Sequence, residues 1–431
     1  MDLVGERTKR TEWFCRDRFG LFIHWGLYAI PARGEWVRST EKMSKEGYRV
    51  YFYEFDPVDY DPVSWAKAAR GAGMKYAVMT AKHHDGFCLF DSQLTSYKAT
   101  NTKAKRDLIR MEAFRAEGLK VGLYYSLLDW QHEDYPHYGD RHHPMRDNEA
   151  FRGVEHDFPN YLNYLHGQVR ELCTNYGKID ILWFDFSYDG MSGDKWRAAE
   201  LVSMVRSLQP GVIIDNRLEA SGENAGSIRS MNPSSYAGDF ASPEQIVPPA
   251  GIVDEMGCAV PWESCVTMNN HWGYSARDRG FKSAKTIIRK LVECVSKNGN
   301  LLLNVGPNAK GVIPRESLAV LREIGQWLEQ NGQSIYGCGK ADFPKPEWGY
   351  FTQGGNNLYA HVLEGPIGPL GIHGLAGVKA IRLLEDNSEV IPIQPWNTKD
   401  YADYLFLNFG EPGHLTHPLP NDTDTVIHFA L

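Results

Sequence analysis

No stretch of these 431 residues reaches the ~18 consecutive apolar residues of a membrane-spanning helix, so no membrane span is expected. Positive charge is in short supply. The 46 Lys and Arg stand against 54 Asp and Glu, a net charge of −8, which leaves no basic footprint for nucleic acid. The opening residues, MDLVGERTKRTEWF, lack the apolar centre of a secretory signal, and a cytoplasmic location is expected. The seven cysteines (Cys15, Cys88, Cys173, Cys258, Cys265, Cys294 and Cys338) are odd in number and form no C-x-x-C pair. That pattern fits free thiols in a reducing compartment better than a disulfide frame or a zinc knuckle. No G-x-G-x-x-G or Walker-type loop occurs, so a phosphate-cradling fold has no support.

Aromatic residues, by contrast, are plentiful. Twelve Trp, 22 Tyr and 19 Phe make up 12% of the chain, many of them beside polar residues. Rings next to hydrogen-bonding groups suit a ligand with both a C–H face and hydroxyls, which is the character of a sugar.

Strand-like and helix-like segments alternate over the first ~335 residues, the pattern of a parallel sheet covered by helices. FGLFIHWG (19–26), KYAVMT (75–80), KVGLYYS (120–126), KIDILWFD (178–185), GVIIDNR (211–217) and NLLLNVG (300–306) read as strands. Helices are expected over 62–73, 105–119, 161–177, 194–210, 283–299 and 316–332. A (β/α)8-type barrel fits this order, although 218–282 must hold strands that the pattern does not place. From about Gly337 short strands separated by Gly, Pro and Asn turns replace it, which predicts a small antiparallel β-sandwich. The expected domains are therefore 1–340 and 341–431.

In such a barrel the site forms where the strands end. Those ends carry His24 and Trp25, with Glu35 and Trp36 in the following loop; then His83, His84 and Asp85; Tyr124, Tyr125 and Ser126; Trp183 and Asp185; and Asp215, Asn216 and Arg217. Later loops supply Glu244, Glu263 and Trp272. Two chemistries compete for this set. A metal-dependent hydrolase would use His24, His83, His84 and Asp185 as ligands. However, no H-x-H or H-E-x-x-H is present, and adjacent histidines on an extended segment point to opposite faces unless the chain turns sharply. Glycoside hydrolysis would use two carboxylates, with Asp185 at a rigid strand end as nucleophile and a loop carboxylate as acid. The histidines would then bind hydroxyls. A sugar-binding protein without turnover is the third reading; it would not need both carboxylates.

The stretches FGLFIHWGLYAIPARGEW, WAKAARGAGMKYAVMTAKHHDGFCLFDS, RDLI, GLYYSLLDW, LWFD, GDFASPEQ, WESCVTMNNHWGY and NGNLLLNVGP follow one another across 19–307. Together they resemble the α-L-fucosidases of glycoside hydrolase family 29. The resemblance implies retaining hydrolysis of terminal α-L-fucose from fucosylated oligosaccharides or glycoconjugates, with no metal or cofactor. Asp185 stands where the family has its nucleophile, and Glu244 looks like the acid/base, with Glu263 as its rival. His24, Glu35, Trp36, His83, His84, Tyr124, Trp183, Arg217 and Trp272 resemble the family's fucose-binding set. Trp25, Tyr125 and Trp130 read as core or pocket wall, Asp85 as a carboxylate that orients His83 or His84, and Asp180 as structural. Trp396, in the Pro-flanked segment IPIQPWNTKDY, has little reason to be buried and suggests a contact between copies in a homo-oligomer.

Overall fold

The computed structural model describes residues 3–222, 224–375, 378, 380–394, 396–409 and 418–431. The apolar runs become parallel strands buried on both faces: β1 (Phe19–Ile23), β2 (Tyr76–Lys82), β3 (Lys120–Ser126), β4 (Ile181–Asp185), β5 (Ile213–Ile214), β6 (Glu263–Thr267) and β7 (Asn300–Val305). Around them run α1 (Leu3–Asp17), α2 (Val37–Thr40), α3 (Lys45–Glu54), α4 (Pro62–Gly71), α5 (Met111–Ala116), α6 (Phe158–Asn175), α7 (Ala198–Leu208), α8 (Ala284–Val295) and α9 (Arg315–Asn331). Capping is local. Asp61 accepts from Val63 N ahead of α4, with Pro62 in its first turn, and Ser283 accepts from Thr286 N ahead of α8.

The strand order β5-β4-β3-β2-β1-β7-β6 leaves one gap, between β5 and β6. Residues 240–244 fill it through the parallel bridges Asp215–Phe240, Ala241–Trp262 and Glu244–Cys265. The molecule is thus a (β/α)8 barrel whose eighth staves are single bridges rather than a ladder. Interior side chains stack along the axis: Phe22, Tyr76, Val78, Tyr124, Ile181, Trp183, Ile213, Phe240, Cys265 and Leu302, with Phe14 of α1 closing the lower end. Gly20 makes room there, since a Cβ would stand 2.2 Å from the Tyr76 ring.

Several elements depart from the sequence expectation. The helix expected over 105–119 is confined to α5, because Lys105 takes φ +49° and the Asp107 carboxylate captures Ile109 N. The one expected over 194–210 breaks at Arg197 (φ +50°) into a 3-10 turn and α7. The strand expected over 211–217 keeps only two ladder residues, since the chain beyond them turns to meet 240–244.

The C-terminal part has β8 (Gly339–Lys340), β9 (Gly349–Gly354), β10 (Asn357–Val362), β11 (Leu370–His373), β12 (Ile381–Leu383), β13 (Pro392–Ile393), β14 (Tyr404–Leu407) and β15 (Thr425–Ala430). They form a five-stranded and a three-stranded sheet around a shared apolar core, and the pairings between strands are antiparallel. Arg289 of α8 donates to Leu363 O, Asp422 O and Thr423 O, fastening this part to the barrel. Lys379 and Gly410, which fall in expected strand segments, lie outside the described residues. Among the described residues no helix is long and apolar enough to cross a membrane.

Candidate active site

The upper ends of the strands converge on a cavity of about 120 Å³, lined by Phe22, His24, Trp36, His83, His84, Tyr124, Trp183, Asp185, Phe186, Glu244, Cys265 and Trp272. An apolar cavity of about 150 Å³ takes a benzene ring, so this space is on the scale of a single ring. A larger cavity of about 790 Å³ adjoins it, shares Phe186 and Glu244 as walls, and is bordered by Arg141, His142, Asp189 and Glu219.

Asp185 ends β4 inside the barrel. Its Oδ2 accepts from Tyr124 Oη at 2.8 Å and its Oδ1 from Arg217 Nη1 at 3.0 Å. Burial pushes this carboxyl up to about 6 and the nearby Glu244 adds to that, while the Arg217 cation opposes both. Arg217 also donates from Nη2 to Glu244 Oε2 at 3.1 Å, so one guanidinium spans the two carboxylates. The guanidinium is itself held by Ser242, through Nε to Oγ (2.8 Å) and Nη2 to the carbonyl (3.0 Å), and it lies 4.8 Å from the Trp183 ring centroid. Glu244 sits on the bridging segment, fixed by Gln245 N to Cys265 O (2.9 Å) and Cys265 N to Pro243 O (3.1 Å). The Asp185 side chain is 12% exposed and that of Glu244 37%. The inner carboxylate is desolvated and the outer one reaches solvent, a division that suits a nucleophile and a proton carrier.

Directly after Asp185, Phe186 adopts φ +95°, a strained conformation for a bulky residue. The turn swings its ring back over the cavity, against Trp36, His84 and His142.

The three histidines are buried, and burial depresses each: His24 to about 3, His83 and His84 well below the usual imidazole range. They are neutral at pH 7. Asn304 donates from Nδ2 to Trp272 O (2.7 Å), so its Oδ1 accepts from His24 Nδ1 (2.7 Å) and leaves the His24 Nε2 lone pair free. Ser126 Oγ donates to Leu128 O and stands 2.7 Å from His84 Nδ1, which gives His84 the same tautomer. Neutral imidazoles with a bare lone pair accept hydrogen bonds from hydroxyls. The chain does turn sharply after His83: Gly86 N bonds His83 O in a tight turn, and the two rings lie side by side with centroids 4.0 Å apart. Asp85 does not orient either ring. Its carboxylate accepts from Tyr48 Oη (3.0 Å) and Phe87 N (3.2 Å), bracing the turn beneath them.

Trp272 packs 5.0 Å from His24 across the cavity. Glu35 stands behind it rather than in the wall, with Oε2 accepting from Gly273 N at 2.8 Å. Gly273 is needed at that contact, because a Cβ would meet the Tyr28 ring at 2.7 Å. Trp130 backs the wall against Trp36 and His84, while Trp25 and Tyr125 are buried with their polar atoms on Asn308 O and Gln168. Asp180 holds Val121 N at the lower rim, as a structural residue would. Glu263 opens β6 at the closed end, where its Oε2 accepts from Tyr76 Oη, and no leaving group could reach it. Sequence reasoning gave no role to Asn304, Phe186 and Cys265. The second Asn of NLLLNVG, polar at the upper end of an apolar run, was a signal for the first; nothing local marks Phe186.

The family model described as alpha-L-fucosidase matches residues 5–333. The chain belongs to the α-L-fucosidase family. It is 30% identical to the human plasma alpha-L-fucosidase over 351 residues, 75% of this chain and 68% of that one. The structure of alpha-L-fucosidase isoenzyme 1 from Paenibacillus thiaminolyticus is 63% identical and superposes with a TM-score of 0.95 over 99% of each chain. A family 29 fucosidase from Bacteroides thetaiotaomicron, solved as a trapped covalent intermediate with 2-fluoro-fucosyl fluoride in a Glu-to-Gln variant, is 29% identical. Its TM-score is 0.81, over 98% of this chain and 95% of that one. The protein is therefore an α-L-fucosidase, a glycoside hydrolase.

Proposed function

We propose that this fucosidase is a retaining exo-enzyme that releases terminal α-L-fucose from oligosaccharides or glycoconjugates through a covalent fucosyl intermediate on Asp185. Glu244 gives a proton to the departing oxygen and later takes one from water. The observation that carries this reading is the single Arg217 guanidinium spanning Asp185 and Glu244 at a cavity sized for one ring. A shared cation favours the short carboxylate separation of retaining enzymes, about 5–5.5 Å, over the wider inverting one. The covalent intermediate trapped in the Bacteroides relative supports the same chemistry.

In this reading His24, His83 and His84 accept from sugar hydroxyls, while Trp36, Trp183 and Trp272 pack on ring and methyl. Tyr124 and Arg217 hold Asp185, and Glu35 acts through the Trp272 loop. The 790 Å³ cavity beyond Glu244 takes the leaving group, and its size suits an oligosaccharide rather than a simple alcohol. The proposal keeps 1–340 as the catalytic unit and 341–431 as an accessory β unit. It also includes a cytoplasmic location, which seven free cysteines support. Self-association through Trp396 is part of it too, since that side chain is 84% exposed and Ile391 and Tyr401 beside it are exposed as well. The test is hydrolysis of an aryl α-L-fucoside by wild type and Asp185→Gly, with azide added to the variant. Wild type turns over, the variant does not, and azide restores release with a β-fucosyl azide product. Full activity in the variant would overturn the assignment of Asp185.

A further inference from the structure

One residue beyond Asp185 the backbone is strained, and the turn is pinned on both sides. Phe186 adopts φ +95°, which glycine takes freely and a bulky side chain rarely does. On one flank Asp185 O accepts from Leu127 N at 2.6 Å. On the other, Ser187 Oγ donates to Arg217 O at 2.6 Å and accepts from Trp196 Nε1 at 3.1 Å. The turn cannot relax without disturbing Asp185 or Arg217. What it secures is the place of the ring. Phe186 and Glu244 are the two walls common to the 120 Å³ cavity and the 790 Å³ cavity outside it. A chain leading from one cavity to the other passes between this ring and the Glu244 carboxylate. Trp36, His84, His142 and Tyr188 meet the ring at interplanar angles of 67° to 88°, which fixes its plane. His142 and Tyr188 also touch each other, with centroids 5.0 Å apart, and both line the outer cavity. The Tyr188 hydroxyl is committed to Asp140 and Tyr135. With Ile246, these three rings supply the large apolar side chains of a cavity otherwise walled by polar or small residues.

We propose that Phe186 is a specificity-determining residue for the leaving group. Its ring, with His142 and Tyr188, forms a platform on which the first sugar beyond the scissile oxygen lays a C–H face. The enzyme then favours fucose linked to a pyranose over fucose linked to a group without a ring. This assignment rests on the reading that fucose fills the inner cavity and the leaving group the outer one. Sugars suit such a surface, since their ring C–H groups pack on aromatic faces while their hydroxyls reach polar groups such as Arg141, Asp189 and Asn224. Glycine at position 186 would remove the strain and keep the turn, but it would leave the junction of the two cavities bare. A bulky side chain held at a costly φ marks a position where the ring matters more than backbone ease. A ring that merely shielded Asp185 from water would matter equally for every leaving group. A platform matters only for those that touch it.

The test compares kcat/KM on an α-L-fucosyl disaccharide with kcat/KM on α-L-fucosyl fluoride, whose leaving group is a single atom. Wild type, Phe186→Ala, Phe186→Gly and Phe186→Tyr are measured on both. The two truncations should fall about tenfold or more further on the disaccharide than on the fluoride, and Phe186→Tyr should keep the wild-type ratio. Equal losses on the two substrates, or no loss on either, overturn the proposal. A loss confined to Phe186→Ala, which keeps the strained φ, would trace the effect to the backbone and overturn it as well. A second measurement needs only wild type: hydrolysis of an α-L-fucoside of galactose against the α-L-fucoside of glycerol. The galactoside should be preferred by about tenfold or more, and equal rates overturn the platform. Failure of the functional reading looks different, since wild type would then turn over neither the fluoride nor the disaccharide, and this proposal would fall with it.

Discussion

His83 in the barrel and His361 in the C-terminal sheets are both buried, yet their surroundings are opposite. His361 has a partner for each ring nitrogen, Asp424 at 2.7 Å on Nδ1 and Thr352 at 3.0 Å on Nε2. His83 has neither a bonded Nδ1 nor a charged partner, and it shares its cavity wall with two further imidazoles. Burial alone does not mark a site. At the barrel's upper end an unpartnered ring nitrogen borders a cavity, a cost that a fold bears where a ligand will complete the hydrogen bond.

The strongest way to break this contrast is to remove the cation that organises the site. Arg217→Met should lower kcat/KM by roughly 10²–10³ or more, because it strips the donors from two carboxylates in a desolvated cavity. Activity within a few-fold of wild type would mean that the shared guanidinium is ornamental. Next comes a paired substitution. His84→Ala should cost about 10–100-fold in kcat/KM with little change in melting temperature, as expected for lost contacts to a sugar hydroxyl. His361→Ala should leave kcat/KM unchanged and destabilise the fold by about 1–3 kcal/mol, since Asp424 loses a buried partner. Matching effects from the two would erase the distinction between a site histidine and a structural one.

The acid side sharpens the same comparison. Attack requires ionised Asp185, so kcat/KM should fall about tenfold per unit as pH drops below about 6. Stability runs the other way. The folded carboxyl holds its proton more tightly than its usual value of 3.8 allows in the unfolded chain. Its stabilising share is thus complete below about pH 4 and lost as pH rises through about 6. A pH–rate profile and a melting series over pH 4–8 would read both. The smallest effect belongs to Trp396→Ala, which should lower the sedimentation coefficient and leave the melting temperature of the barrel untouched. Unchanged assembly in wild type and variant would sink the idea that this exposed ring joins copies of the chain.

Much of the barrel was legible because parallel strands buried on both faces are apolar runs, and helices between them announce themselves by caps and period. KVGLYYS became β3 without a shifted residue, whereas GVIIDNR kept only Ile213 and Ile214. The difference is tertiary: β5 pairs on one side with a ladder, while on the other only Asp215 just beyond it makes a bridge, to Phe240, and no local pattern encodes a bridge. For the same reason the eighth staves at 240–244 could not be placed, although they carry Glu244. How His83 and His84 come side by side depends on the turn closed by Gly86, which strand alternation does not encode.

By itself the sequence determined the chemistry available: which strand ends carry carboxylates, imidazoles and indoles, and in what order they follow along the chain. Those are properties of single residues and of period, and both are written locally. Only the tertiary structure decided that Arg217 touches Asp185 and Glu244 at once, that Asn304 and Ser126 set the tautomers of His24 and His84, and that Glu263 belongs to the barrel's lower end. These depend on closing the barrel, which brings residues tens to hundreds of positions apart to between 2.7 and 3.1 Å of one another, where desolvation and charge settle which carboxyl keeps its proton.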